Sequence, residues 1–314
     1  MAGSARVGKL KVLRKRIWEY RYIYLMLLLP AVYFFIFRYR PMYGLQLAFK
    51  EYSLKGITAS PWVGMEQFKR MIAEPEFFTA FWNTLIISLY RIVWGFPFPI
   101  LLAILITEVR SKKYQKFVQT VSTFPHFLSW IILAGIVLNL FGDTGSIKKL
   151  VALINPAMVQ QWNVLYDKSI FRTMLVSTDI WKEAGWGTII YIAAMAGISP
   201  DLYEAASIDG CNRFQKILYV TLPGIVGIIL IQLLLRVGYV MDGGFDQVFN
   251  LYSPPVIATG DTIDTYIYRI TFQRQVSLDF GFSTAVGLFK NVINFTLLII
   301  ANALAKRFSG EGVM

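Results

Sequence analysis

The residues able to do chemistry in this chain are few and scattered. One cysteine, Cys211, and one histidine, His126, are all it offers for thiol or imidazole work. A disulfide framework needs paired cysteines and a zinc site needs clustered Cys and His ligands, so both are excluded. There is no G-x-x-x-x-G-K-[ST] phosphate loop and no G-x-S-x-G elbow. What remains is a set of ionisable groups inside otherwise apolar runs: Arg91, then Asp179, Lys182 and Glu183, then Lys290. Charges at membrane depth are costly and face a protein interior or a wet cavity. Asp179 and Lys182 stand three apart on one helical face and can pair locally, and Arg91 or Lys290 can meet Glu183 across helices. Two readings stand: structural ion pairs, or the lining of a hydrophilic path shared with Asn139, Asn291 and Asn294. Trp130, Trp181 and Trp186 are open to the same choice, between packing and a stacking face for a ring.

These groups sit in an apolar chain. Of 314 residues 56% are hydrophobic and only 16% charged, with mean hydropathy +0.52. An ordinary soluble domain carries about 25% charged residues, so the composition is that of a polytopic membrane protein. The net charge of +12 does not form one basic patch with interleaved aromatics; it falls in short segments between apolar runs, which excludes a nucleic-acid surface. A bilayer core of about 30 Å needs roughly 20 apolar residues as helix. Six windows qualify, 22–38, 81–106, 118–141, 171–197, 218–241 and 280–305. The first has no small-residue cleavage site after it and reads as an uncleaved anchor.

Six spans place both termini on one side. The segments on that side hold 15 Lys and Arg in 59 residues, and the opposite set holds 10 in nearly twice the length. The excess of basic residues marks the cytoplasmic side, so residues 1–21, the 306–314 tail and the loop between spans four and five are expected in the cytoplasm. In 9–18, Leu10, Leu13 and Ile17 share one face among basic residues, which suits an interfacial helix on anionic headgroups or a plain orienting tail. The outer loops 39–80 and 242–279 are long for simple connections.

The loop between spans four and five, 199–223, is unusually well specified. Ser199 is a good N-cap, Pro200 suits the first helical position, and Asp201 and Glu204 put negative charge near the helix start. A short helix over 200–207 follows. Asp209-Gly210 then turns, with Asp209 placed to cap a second short helix over 211–219, while Pro223 falls where a new span would begin. Ile208, Phe214 and Ile217 are expected to hold the unit to its own spans, leaving Glu204 and Asp209 for a partner or for the caps.

The run EAASIDGCNRFQKILYVTLPG resembles the cytoplasmic E-A-A-x-x-x-G … I-x-L-P signature of permease subunits of binding-protein-dependent ABC importers. Glu204, Ala205, Ala206 and Gly210 carry its first half. Leu222-Pro223 carry the second, with Val220 where Ile is usual and Cys211 where Ala is common. The likeness extends through WVGMEQFKRMIAEPEFFTAFWNTLIIS (62–88), FPHFLSWIILAGIVLNLF (124–141), DIWKEAGWGTIIYIAAMAGISPDLYEAASIDG (179–210), FDQVFNLYSP (245–254) and FGFSTAVGLFKNVINFTLLIIANALAKR (280–307). It covers about 22–307 and resembles the maltose-type sugar permeases, in the branch handling complex oligosaccharides such as alginate and pectin fragments.

The resemblance implies an all-α integral membrane protein of the type I ABC importer permease fold, with six transmembrane helices in 22–305 and coupling helices between helices four and five. It assigns Glu204, Ala205, Ala206, Asp209, Gly210, Phe214, Leu222 and Pro223 to contact with an ATPase. The chain itself would be no enzyme and bind no cofactor or metal; ATP and Mg would sit on two partner ATP-binding subunits. A second six-helix permease, an extracytoplasmic solute-binding protein and membrane lipid complete the partners, in a bacterial inner membrane. In 242–279, Asp242, Asp246, Asp261, Asp264, Arg269 and Arg274 are candidates for docking that binding protein. Arg91, Arg172, Lys182, Arg236 and Lys290 outnumber Asp179 and Glu183 within the spans, although Arg172 and Arg236 lie near the outer ends. The excess leans toward acidic oligosaccharides and leaves neutral sugars open. The rivals are a proton-coupled carrier using Asp179 and Glu183 as a relay, a membrane-embedded enzyme, and an ABC permease for a non-sugar solute.

Overall fold

The computed structural model describes residues 15–160, 162–273 and 279–309. Most of 9–18, with Leu10 and Leu13, lies outside them, as do Arg274 and the last five residues. Among the described residues helices make nearly all the regular structure, and an isolated antiparallel bridge, Lys50 to Trp62, is the one strand-like pairing. Helical segments occupy all six expected windows. The first runs from Arg21 to Phe49 as α-helix, π-turn and 3-10 helix, with its most apolar stretch wholly unburied. The second, Pro75–Glu108, carries a π-turn at Arg91–Gly95. The fourth is a single helix, Lys168–Ala196, of 29 residues. The sixth runs Phe280–Ser309.

Among the described residues four helices are long and apolar enough to cross a bilayer, Arg21–Phe49, Pro75–Glu108, Trp130–Ile154 and Phe280–Arg307. The fifth segment is bent by 62° between Arg213–Gly224 and Val226–Gly238. The fourth is long enough but diluted by Lys168, Arg172, Asp179, Lys182 and Glu183. One window needs correction. Residues 118–141 do not form one helix: Lys112–Thr123 ends at Phe124–Phe127, a 3-10 turn that begins Phe-Pro, and a fresh helix starts at Trp130 under a Ser129 cap. Pro125 has no N–H to donate and disfavours the helical conformation of the residue before it.

Between helices in lipid, contact depends on small residues that let backbones approach. A Cβ on Gly185 of the fourth span would fall 2.1 Å from the Ser122 carbonyl, and one on Gly238 of the fifth would fall 2.8 Å from Leu298 of the sixth. Three apolar clusters follow the bundle from end to end. Ile100, Ile104, Tyr191, Met195 and Ile225 pack near the 199–223 loop. Ile87, Val137, Phe171, Leu175, Val248 and Leu251 fill the interior. Phe77, Met241, Ile263, Tyr266 and Phe282 close the opposite end. The outer helices Phe245–Leu251 and Ile263–Tyr268 belong to these cores rather than to loose loops.

Candidate functional site

At one end of the bundle the 199–223 loop forms a compact unit. Ser199 accepts from the Asp201 N–H at 3.3 Å, and the helix runs Pro200–Ile208. Gly210 has φ +78°, the left-handed region where a Cβ is strained, and so reverses the chain; the Cys211 N–H then reaches back to the Ala206 carbonyl at 2.9 Å. The second helix is capped by Asn212 instead of Asp209. Its side chain accepts from Gln215 N–H at 2.9 Å while Gln215 Oε1 accepts from Asn212 N–H at 2.8 Å, a closed capping box. This helix, Arg213–Lys216, passes through a π-turn at Ile217–Thr221 into Leu222–Gly238, with Pro223 in the first turn of that last helix as expected. Lys216 donates to Ser207 Oγ at 2.6 Å, and the Tyr203 and Thr221 hydroxyls meet at 3.0 Å.

Within this unit Ala206 is buried and Leu222 and Ile217 pack on the neighbouring core. Glu204, Ala205, Asp209, Gly210 and Pro223 are exposed. Ile208 and Phe214, expected to tether the unit, are 87% and 71% exposed. Of the three side chains expected to tether the unit, Ile217 is the one that packs on the core. The two large apolar side chains stand outward beside Glu204 and Asp209, an arrangement that presents an adhesive face instead of anchoring it.

The intramembrane charges form three clusters. In the first, buried Arg91 donates to Gln247 Oε1, and its Nε lies 3.9 Å from Asp179. Arg236 approaches the same Asp179 oxygen at 3.4 Å. Gln247 in turn donates to the Leu175 carbonyl at 2.6 Å and to Thr178 at 2.7 Å, pinning the outer helix Phe245–Leu251 into the bundle. In the second, Lys182 donates to the carbonyls of His126 at 2.6 Å and Leu128 at 2.8 Å and lies 3.4 Å from that of Pro125. His126 Nδ1 meets Glu183 at 2.8 Å, and its ring stacks on Trp186 with centroids 4.5 Å apart and planes 3° apart. In the third, Lys290 holds Asp242 at 2.6 Å and Asp264 at 2.5 Å, beside Asn294, which accepts from the Met241 N–H at 2.9 Å.

The remaining expected path residues lie apart. Asn139 donates to its own helix at Gly135 and is exposed, and Asn291 is exposed on the sixth span. Trp130 faces Lys182 at 5.6 Å, and Trp181 borders a separate apolar cavity. A cleft of about 180 Å³ brings together Asp179, Glu183, Trp186, Gln232 and Arg236, with Gly95 and Gly187 also in its lining. Its neighbour adds Arg91, Tyr239 and Asp242.

Of the outer-loop charges, Asp242 and Asp264 face Lys290 and Asp246 is exposed. Asp261 is 2% exposed and pairs with Arg269 at 2.6 Å, which also reaches Glu76 at 2.9 Å. Burial pushes the Asp261 carboxyl above its ordinary range, against the opposing pull of Arg269. Sequence reasoning passed over Asn83, His126, Gln232 and Gln247 as site members. Asn83 accepts from Arg172 at 2.8 Å and donates to the Asp261 and Ala258 carbonyls at 3.1 Å each. A polar amide inside an apolar window was the available signal for Asn83; Gln247 carries none, since it lies in a loop of ordinary polarity.

Residues 95–310 match the family described as binding-protein-dependent transport system inner membrane component. The chain is 38% identical over 307 residues to the polygalacturonan/rhamnogalacturonan transport system permease protein YteP of Bacillus subtilis (strain 168), covering 97% of this chain and 94% of that one. It also superposes on a chain of a bacterial ABC transporter involved in the import of the acidic polysaccharide alginate, with TM-score 0.85, 38% identity, and coverage of 95% and 99%. A structure of a bacterial alginate ABC transporter in complex with alginate pentasaccharide-bound periplasmic protein gives TM-score 0.84 at 37% identity, with the same coverage. With that match across most of its length, and with six helical segments carrying a capped polar unit at one end, the chain belongs to the inner membrane components of binding-protein-dependent transport systems.

Proposed function

We propose that this chain is the transmembrane permease subunit of an ATP-driven importer that passes acidic, uronate-containing oligosaccharides from a solute-binding protein into the cytoplasm. The cleft around Asp179 and Arg236 carries the reading. Two guanidinium groups, Arg91 and Arg236, share the Asp179 carboxylate, while the cleft's second carboxylate, Glu183, is bonded to His126 and lies 3.8 Å from Lys182, so that three cations face two carboxylates. Arg91 is buried and committed to Gln247, whereas the Arg236 side chain is 41% exposed. Its fork suits bidentate capture of a cargo carboxylate. Trp186, 47% exposed in the same cleft, offers a ring face for a pyranose. Relatives named for polygalacturonan and alginate, both acidic polymers, support the choice of cargo.

The exposed face of Glu204, Ala205, Ile208, Asp209 and Phe214 is assigned to the ATP-binding subunits, two of which would hold ATP and Mg. A capped, twice-folded unit can transmit force where a loose loop cannot. A second six-helix permease would complete the path, and the binding protein would meet the end formed by Asp246 and its neighbours. Both termini are assigned to the cytoplasm.

The test is uptake by the assembled importer in liposomes, comparing an oligouronate with its carboxyl-reduced neutral counterpart. ATP-dependent uptake of the acidic form, reduced about tenfold by Arg236→Gln through loss of a charge-assisted hydrogen bond, is expected. Equal uptake of both forms, untouched by the substitution, overturns the acidic reading. Uptake that follows a proton gradient without ATP overturns the importer.

A further inference from the structure

The middle of the fourth span grips the backbone of the third. Lys182, Glu183, Gly185 and Trp186 all touch residues 122–128, the stretch where the third segment loses its helix. A helix broken at membrane depth leaves carbonyl groups without donors, and lipid supplies none. Here one ammonium donates to two of them, those of His126 and Leu128, and stands 3.4 Å from that of Pro125, which also accepts from the Leu128 N–H at 3.1 Å. Lysine has three N–H donors and no more. The residue is 7% exposed, and its one acidic neighbour, Glu183, stands 3.8 Å away while bonded to His126.

One helical turn on, a Cβ on Gly185 would fall 2.1 to 2.5 Å from the Ser122 and Thr123 backbone, so glycine alone admits this approach. The break is thereby held against the fourth span at two points. Its consequence is the place of His126. The imidazole lies flat on Trp186 and bonded to Glu183, so that Trp186 is backed on one side and open to the cleft on the other.

We propose that Lys182 is a positioning residue that never meets cargo: it seals the break in the third span and so fixes the His126–Trp186 pair that walls the transport cleft. The role of that wall rests on the cargo reading above, but the seal does not. A charge expected to line a path is consumed by backbone.

His126 is the chain's single histidine, which makes it a selective reporter. The experiment uses the assembled importer in nanodiscs, with diethyl pyrocarbonate as the probe of imidazole access and peptide mass spectrometry to read modification at His126. Lys182→Met keeps the length of the stem and removes every donor; Lys182→Gln keeps two; Lys182→Arg keeps a cation. The expected order of modification rate is wild type and Arg slow, Gln faster, Met fastest, with Met about tenfold above wild type as the unsealed carbonyls open the break. Uptake should follow with a raised KM and a smaller change in kcat, restored by Arg.

If Met fails to assemble, the Gln variant against wild type decides. Equal His126 modification in all the variants that assemble overturns the proposal, and so does a loss of uptake without any change in modification, which would return Lys182 to the path. Should wild-type importer carry no oligouronate, only the cargo reading falls, because the modification order is read without cargo.

Discussion

Between Ser199 and Leu222 polar groups find partners close along the chain, from Asp201 N–H on Ser199 two residues away to Tyr203 on Thr221 eighteen away. Around Lys182 and Arg91 the partners come from 54 to 57 and from 156 residues away. Both regions use the same residue types. The difference lies in what surrounds them. Outside the bilayer a capped helix can satisfy its own ends and leave side chains free, so Glu204, Ile208 and Phe214 stand outward. Inside, an unpartnered charge costs too much to leave open, and each cation is drawn onto a carboxylate, an amide or a backbone carbonyl. One region exports its chemistry and the other consumes it.

The sharpest way to break this contrast is to reverse a charge where it is exported. Glu204→Lys should leave membrane insertion intact while cutting co-purification of the ATP-binding subunit by at least about tenfold, since a charge reversed at an interface costs roughly 2 kcal/mol or more. Unchanged capture, measured by quantitative pull-down from mild detergent, would remove Glu204 from the contact.

In the interior the same kind of change should be felt in stability. Arg91→Leu strands Gln247 Oε1 and leaves Asp179 to Arg236 alone. Breaking a buried pair costs about 3–5 kcal/mol, or roughly 6–10 °C in the melting temperature of a chain this size. A calorimetric shift below about 1 °C, far under the cost of a broken buried pair, would mean that Arg91 is solvated and available to cargo.

The contrast also explains what could be read from the residues alone. Most of the helical segments and the capped unit were legible because apolar runs, Ser199-Pro200 and the Asp-Gly turn are local signals. The N-cap of the second short helix was misplaced by three residues, from Asn212 to Asp209, since both types cap equally well. The break at Phe124–Ser129 was hidden inside a window apolar enough to span, although Pro125 marked it. Lys182 looked like a path residue because nothing near it in sequence reveals that carbonyls 54 and 56 residues earlier need a donor. Likewise Gln247 gave no sign that it reaches Arg91 across the bundle.

The outer end offers the smallest effect and the finest test, because there burial and pairing act on one group. Asp261 is buried beside Arg269 and Thr265, and its carboxyl is raised chiefly by desolvation. A raised carboxyl holds its proton in the folded state at pH values where the unfolded chain has released it. Stability from this group is therefore greatest below the ordinary carboxylate value of about 4 and declines as pH climbs through the raised one. Asp261→Asn removes that slope. Melting temperatures of wild type and variant, taken from about pH 4 to pH 7, should show a wild-type advantage that shrinks as pH rises. If the advantage grows instead, the Arg269 charge outweighs burial. The outer end would then obey the rule of the exposed unit, in which charges stabilise by being ionised, and not that of the interior.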